Sequence, residues 1–227
     1  MDTRNRYDLI VVGSGISGLS AAVTAAERGL SVCVLSKASE IEYSNTLFAQ
    51  GGIVVDGPGD SPELLEEDII SAGDYINSRE AVHLLATEGP MAVREYLVNK
   101  AKTPFDMAGD DFDRTREAAH SVRRIFHVKD YTGRAIERSL LSYTEKNRHI
   151  TFKPAHAVID VITNCHHSTD SQERYKKTRA IGVYALDCNT GTVSAFFGGA
   201  IIIASGGVGN LFQHTSNPPI ATGDGIA

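Results

Sequence analysis

Three glycines, Gly13, Gly15 and Gly18, stand in the run Gly13-Ser14-Gly15-Ile16-Ser17-Gly18. This is the spacing of a turn that receives a pyrophosphate on backbone N–H groups. The run follows a short apolar segment, residues 8–12, and opens a stretch in which Ile16, Leu19, Ala22, Val23 and Ala26 recur at helical spacing. That context asks for glycine three times: Gly13 for the tight turn, Gly15 so that backbone can approach the anion, and Gly18 for close packing of helix on strand. The helix N-terminus adds unpaired N–H groups and a partial positive charge. A glycine turn that binds nothing is the competing reading.

A second apolar segment, residues 31–35, completes a βαβ unit with a right-handed crossover. It ends in Ser36-Lys37 and not in the acidic residue that grips an adenosine ribose, which counts against a plain NAD site. Lys37 lies either near an adenosine phosphate or ribose, or in solvent as an ordinary strand-end lysine.

The remaining elements must hold this turn in place. Residues 38–60 have little periodicity and form a long loop containing Ala49-Gln50-Gly51-Gly52. Loops of this length are functional or disordered. Residues 61–102 read as two helices broken near 73–78, the first starting at Ser61-Pro62-Glu63. Residues 103–131 are polar and irregular, and 133–147 form a further helix. Strands follow at 151–152, 155–163, 180–186 and 193–197, with a polar hairpin at 164–178 and a separate apolar β run at 200–204. The expected fold class is α/β, a Rossmann-like parallel sheet with an additional β-meander.

The chain has 227 residues, 42% of them hydrophobic, and a formal net charge of -6 with both signs interspersed. That balance argues against nucleic acid as a partner. Cys33, Cys165 and Cys188 form no CxxC pair, so neither a disulfide framework nor a zinc site is indicated, and a reducing compartment suits the chain. No apolar run approaches the roughly 18 residues that span a bilayer. With no secretory pattern in its first residues, the expected location is cytoplasmic and away from membranes.

Beyond the glycine turn, Asn45-Thr46-Leu47-Phe48-Ala49-Gln50-Gly51-Gly52, residues 204–207 (Ala-Ser-Gly-Gly) and residues 222–227 (Thr-Gly-Asp-Gly-Ile-Ala) occur in the order found in one family. Through them the sequence resembles the flavoproteins of succinate dehydrogenase, fumarate reductase and L-aspartate oxidase. The resemblance implies FAD as cofactor. It also implies that 45–52 wrap the pyrophosphate and approach the isoalloxazine, while Asp224 accepts from ribityl or ribose hydroxyls. The competing role for Asp224 is an N-cap of a following helix. Membrane-bound members carry a histidine, bonded covalently to the flavin, where this chain has Asn45, so the resemblance implies non-covalent FAD.

Residues 115–121, Thr-Arg-Glu-Ala-Ala-His-Ser, are similar to a tract of the L-aspartate oxidases, with Ala118 and Ala119 where the family has glycines. Its central Glu117 would attract the ammonium of L-aspartate, which succinate lacks. The competing reading is a surface carboxylate paired with Arg116 or Arg123. His120, Arg123, Arg124 and His127 either help to hold substrate carboxylates or the flavin, or neutralise Asp110, Asp111 and Asp113.

The resemblance implies that residues 1–227 are the amino-terminal portion of an FAD-binding domain that stops before a capping domain and is inactive alone. The implied activity is an FAD-dependent amino-acid oxidase converting L-aspartate to iminoaspartate, with fumarate or oxygen as acceptor. That is the first step of quinolinate and NAD synthesis, with association to quinolinate synthase. A soluble fumarate reductase-type flavoprotein and a non-catalytic FAD-binding fragment are the alternatives.

Overall fold

The computed structural model describes residues 5–117, 119–166 and 168–226. Its strands are β1 (Arg6–Val12), β2 (Val32–Leu35), β3 (Ile53–Val54), β4 (Met107–Ala108), β5 (Asp111–Phe112), β6 (Arg114–Thr115) and β7 (Ile125–Phe126), followed by β8 (Ile150–Lys153), β9 (His156–Thr163), β10 (Ala180–Asp187) and β11 (Val193–Ile203). The helices are α1 (Ile16–Ala26), α2 (Pro62–Ala72), α3 (Arg79–Val93) and α4 (Thr132–Thr144), with a π-helical segment, Arg94–Lys100, continuing α3. The chain divides into two compact units, one of residues 1–47 with 141–227 and one of residues 48–140.

The first unit is built on a six-stranded sheet of order β8-β2-β1-β11-β10-β9. The four strands from β8 to β11 are parallel, and β11, β10 and β9 form an antiparallel meander. Strands buried on both faces read as unbroken apolar runs, and the two faces account for both sets of residues. Leu9, Val11, Val32 and Val34 cluster with Ala22, Ala25 and Ala26 of α1. Ile10, Cys33 and Leu35 point the other way and cluster with Val183, Ala185 and Phe196, so the meander covers the second face. Burial pushes the Cys33 thiol up to about 12, which makes it an inert apolar residue.

The structure corrects one element in this unit. The runs expected as separate strands at 193–197 and 200–204 are the single strand β11. Its first part pairs antiparallel with β10 and its second part parallel with β1, with Phe197 registered to both. Gly198 and Gly199 follow the change of partner, where a Cβ would stand 3.0 Å from the Ala200 and Asp8 carbonyls respectively. A glycine pair that looks like a break in the sequence is a close backbone passage.

In the second unit α2 packs against α3, β3, β7 and β6 form a small sheet, and β4 and β5 form a hairpin. The helices lie where their caps place them, Ser61 accepting from the Leu64 N–H and Ser78 from the Ala81 N–H. The segments 38–60 and 103–131, expected as loop, contain all of these short strands. Two-residue strands have no periodicity to read, and β3 finds β7 across some 70 residues, Ile53 opposite Phe126. Phe105, Phe112 and Phe126 pack together beneath them, the last two stacked at 4.6 Å. Among the described residues no helix is long and apolar enough to cross a membrane.

Candidate functional site

At the glycine turn the three glycines have three different reasons. Gly13 has φ +113, a conformation that L side chains rarely adopt, and a Cβ there would overlap the Ala204 carbonyl. Its N–H donates to the Leu35 carbonyl at 2.8 Å, which ties the turn to the end of β2. Gly18 lets α1 settle on the turn, since a Cβ would overlap the Gly13 carbonyl. Gly15 has ordinary extended backbone and caps α1 without a side-chain bond. A Cβ on it would stand 3.2 Å from Thr46 Oγ1 and 3.5 Å from Ser44 Cβ.

Around that helix N-terminus lie hydroxyl groups. The Ile16 N–H donates to Thr46 Oγ1 at 3.1 Å, and Ser44 Oγ is buried without a hydrogen-bond partner. An orphaned buried hydroxyl is costly unless something satisfies it. Beside the positive end of a helix, it fits a phosphate oxygen. Ser14 has another role, its hydroxyl donating to Ser36 Oγ at 3.1 Å with both residues buried. Ser17 is exposed on the first turn of α1, Asn45 is exposed, and Leu47 is half-buried. Ser44 escaped the sequence reading because it precedes the resembling run by one residue.

Lys37 and Asp224 meet. Lys37 Nζ donates to Asp224 Oδ2 and to Thr222 Oγ1, each at 2.5 Å, and the Thr222 hydroxyl donates to Asp224 Oδ1 at 2.6 Å. The Lys37 hydrogen bond, then that of Thr222, holds the Asp224 carboxyl below the usual carboxylate range.

In the second unit, Phe48, Ala49, Gln50, Gly51 and Gly52 are exposed. The Ala49 carbonyl accepts from the Gly133 N–H at 2.9 Å. Gly52 has φ +119 and passes so close to β7 that a Cβ would overlap Ile125 and the Phe126 carbonyl. A Cβ on Gly51 would lie 3.8 Å from Glu117 Oε1, so this backbone runs beside the Glu117 carboxylate. Glu117 is exposed, and among the described residues neither Arg116 nor Arg123 forms an ion pair with it. Ala118 lies outside the described residues. A cleft of about 590 Å³ is lined by Thr115, Arg116, Ser121, Val122 and Arg123.

The basic residues after Glu117 separate. Arg124 is fully buried, with its guanidinium 2.8 Å from both Asp60 and Asp68. Asp68 Oδ2 also accepts from the Ser121 N–H and hydroxyl, at 2.8 and 2.9 Å, which anchors the end of the 115–121 tract on α2. Burial pushes the Asp68 carboxyl up, but the Ser121 bonds and the Arg124 charge outweigh it and leave the group below its ordinary range. Arg124 N–H also points at His120 Nδ1, 3.3 Å away. His127 lies 3.1 Å from Asp106 and 3.5 Å from Asp113. Arg124 is therefore a structural cation whose partners are not the carboxylates at 110–113, while His127 does face Asp113.

Comparison with known proteins places this geometry. The family described as FAD binding domain matches residues 8–227. The chloroplastic L-aspartate oxidase of Oryza sativa subsp. japonica is 40% identical over 228 residues, covering 100% of this chain and 34% of the relative. The L-aspartate oxidase of Halobacterium salinarum is 37% identical over 226 residues, covering 97% and 41%. Among solved structures, the Mycobacterium smegmatis Sdh1 complex in the apo form has a TM-score of 0.84 at 26% identity, covering 97% of this chain and 38% of that one. An E. coli quinol fumarate reductase FrdA variant has a TM-score of 0.86 at 24% identity, covering 97% and 36%, and shows the shared fold. The chain spans about a third to two-fifths of the length of these relatives. A sheet with its glycine turn at the carboxyl ends of β1 and β2, hydroxyls around the α1 N-terminus and a family match along nearly the whole chain lead to one conclusion: this chain belongs to the FAD binding domain family.

Proposed function

We propose that the chain is the amino-terminal, FAD-holding portion of an L-aspartate oxidase, an enzyme that oxidises L-aspartate to iminoaspartate. Bound FAD supplies the hydride acceptor. Gly13, Gly15 and Gly18 shape the turn that takes the pyrophosphate, with the Ser44 and Thr46 hydroxyls as its donors, and 45–52 continue along the cofactor. Asn45 holds FAD without a covalent bond, because an amide cannot form the histidyl link.

Glu117 recognises the substrate ammonium. The observation that carries this reading is its exposed carboxylate beside the Gly51 backbone, free of Arg116 and Arg123. A lone anion there attracts an amino acid and repels a plain dicarboxylate. Fumarate or oxygen is the electron acceptor in this proposal, iminoaspartate feeds quinolinate and NAD synthesis, and quinolinate synthase is the associating partner. The three free cysteines suit the reducing, cytoplasmic location that we assign to it.

The test is Glu117→Gln in an enzyme as long as the relatives, assayed with L-aspartate and with fumarate. Use of L-aspartate should weaken by about 1.5–3 kcal/mol, the scale of a charge-assisted hydrogen bond. Fumarate, which has no ammonium, should be handled as well or better. An equal loss on both would move Glu117 to a supporting role and favour a fumarate reductase-type enzyme.

A further inference from the structure

Two arginines of the second unit lack what three of their neighbours have. Arg94 binds the carboxylate of Asp56, Arg114 those of Asp56 and Asp111, and Arg124 those of Asp60 and Asp68. Among the described residues no carboxylate pairs with Arg116 or Arg123, yet both line the cleft that they share with Thr115, Ser121 and Val122. Arg116 Nη1 donates to the Ser121 carbonyl at 3.5 Å, the outer limit of a hydrogen bond, so a better acceptor displaces it. The Thr115 hydroxyl is buried with no hydrogen-bond partner among the described residues. Such a group is costly unless a ligand or water satisfies it.

The scaffold brings the two guanidinium groups together. Thr115 of β6 pairs with Ile125 of β7, so Arg116 and Arg123 stand on the two arms that leave this pair. The arm of Arg123 is held firmly: a Cβ on Gly57 would overlap the Arg123 carbonyl, and the next carbonyl, of Arg124, accepts from the Val55 N–H at 2.8 Å. Ser121 is committed to Asp68 through its N–H and its hydroxyl. A cleft fixed in this way loses little freedom when a ligand enters. Arg124 is neutralised by Asp60 and Asp68, and His120 contacts Arg124. The charged groups left between Thr115 and Ile125 are Arg116, Arg123 and Glu117. Two cations and one anion mirror the two carboxylates and one ammonium of L-aspartate.

We propose that Arg116 and Arg123, with the Thr115 hydroxyl, form a carboxylate-binding site for a small dicarboxylate, next to Glu117 in the same tract. Each guanidinium offers a fork that matches a carboxylate, and Thr115 adds one more donor. A dicarboxylate without an amino group engages the arginines alone, whereas L-aspartate engages the arginines and Glu117 together. The inference rests on the L-aspartate reading above.

Arginine side-chain NMR of the purified chain, titrated with succinate and with L-aspartate at constant ionic strength, tests it, with thermal melts as a check that each variant is folded. The Nε–H signals of Arg116 and Arg123 should move saturably with both ligands. Arg116→Met and Arg123→Met should each weaken succinate binding roughly 10-fold, the effect of one charge-assisted contact. Arg116→Lys and Arg123→Lys should recover only part of that loss, because lysine keeps the charge without the fork. Thr115→Val should weaken binding by a smaller factor, roughly 3–5-fold. Glu117→Gln should weaken L-aspartate alone. If it weakens neither ligand while the arginine variants weaken both, the carboxylate site stands and the ammonium reading falls. No saturable shift in the parent chain, methionine variants that bind like the parent, or inorganic phosphate held more tightly than both dicarboxylates would each overturn the proposal.

Discussion

The two units of this chain solve the same problem, fixing a functional loop, by different means. In the first, long strands set the geometry: β1 is registered to β2 over four residues and to β11 over six, and the glycine turn hangs from the ends of those ladders. In the second, strands of two residues cannot hold a shape by themselves, and charged side chains reach across the chain instead. Arg94 grips the Asp56 carboxylate through both Nε and Nη2, at 2.6 and 2.5 Å, and Arg114 Nε donates to the Asp56 carbonyl at 2.8 Å. Both guanidinium groups lie over Phe126, at 5.5 and 5.2 Å from the ring centre. Arg124 is clamped between Asp60 and Asp68. Where backbone pairing is short, bidentate and buried arginine contacts carry the specification.

The contrast can be broken most sharply at Arg124. Arg124→Met leaves Asp60 and Asp68 without their buried counter-charge, so urea unfolding should show a loss of about 3–5 kcal/mol. Hydrogen exchange should rise across 48–140 and leave β1, β2 and β11 protected. A loss of less than about 1 kcal/mol, the range of an exposed ion pair, would mean that water reaches the two carboxylates and the clamp is dispensable.

The matching change in the first unit is Gly18→Ala. Its Cβ meets the Gly13 backbone, which cannot swing aside as a side chain would. The expected cost is about 1–3 kcal/mol, as for overpacking elsewhere. Thermal melts would measure it, and an unchanged midpoint would show that α1 can lift off the turn freely.

The smallest effect is the pH dependence that Asp68 contributes in the second unit. The folded-state pKa of Asp68 lies below its unfolded value, so its contribution is present above the unfolded carboxylate range and is lost as pH falls through the folded pKa. Asp68→Asn should flatten the acid limb of the stability curve. A curve that stays parallel to that of the parent would assign the acid sensitivity to other carboxylates.

How much could be read from the sequence follows the same division. The βαβ start, the α2 cap and the meander were legible because periodicity, capping and glycine chemistry are local signals. The loops at 38–60 and 103–131 hid their short strands, and the separate runs at 193–197 and 200–204 hid one strand, because both depend on which distant backbone lies alongside. At the candidate site, the reasons for Gly13 and Gly18 could be read directly. The Lys37–Asp224 contact could not, since no local pattern couples residues at opposite ends of a chain. Asp60, just before α2, and Asp68, within it, had no mark of their role, and their partner lies more than 50 residues on.

The pairing of β1 with β11 also sets a timetable. Strand β1 has β11 as a sheet neighbour, Arg6 opposite Phe197, about 190 residues apart. At ribosomal rates of 5–20 residues per second, one edge of β1 waits roughly 10–40 s for that partner to emerge. During this interval an apolar edge can pair only with β2 or with something foreign. Nascent chains of this protein should therefore depend on holdase chaperones until β11 is out, however stable the finished sheet becomes.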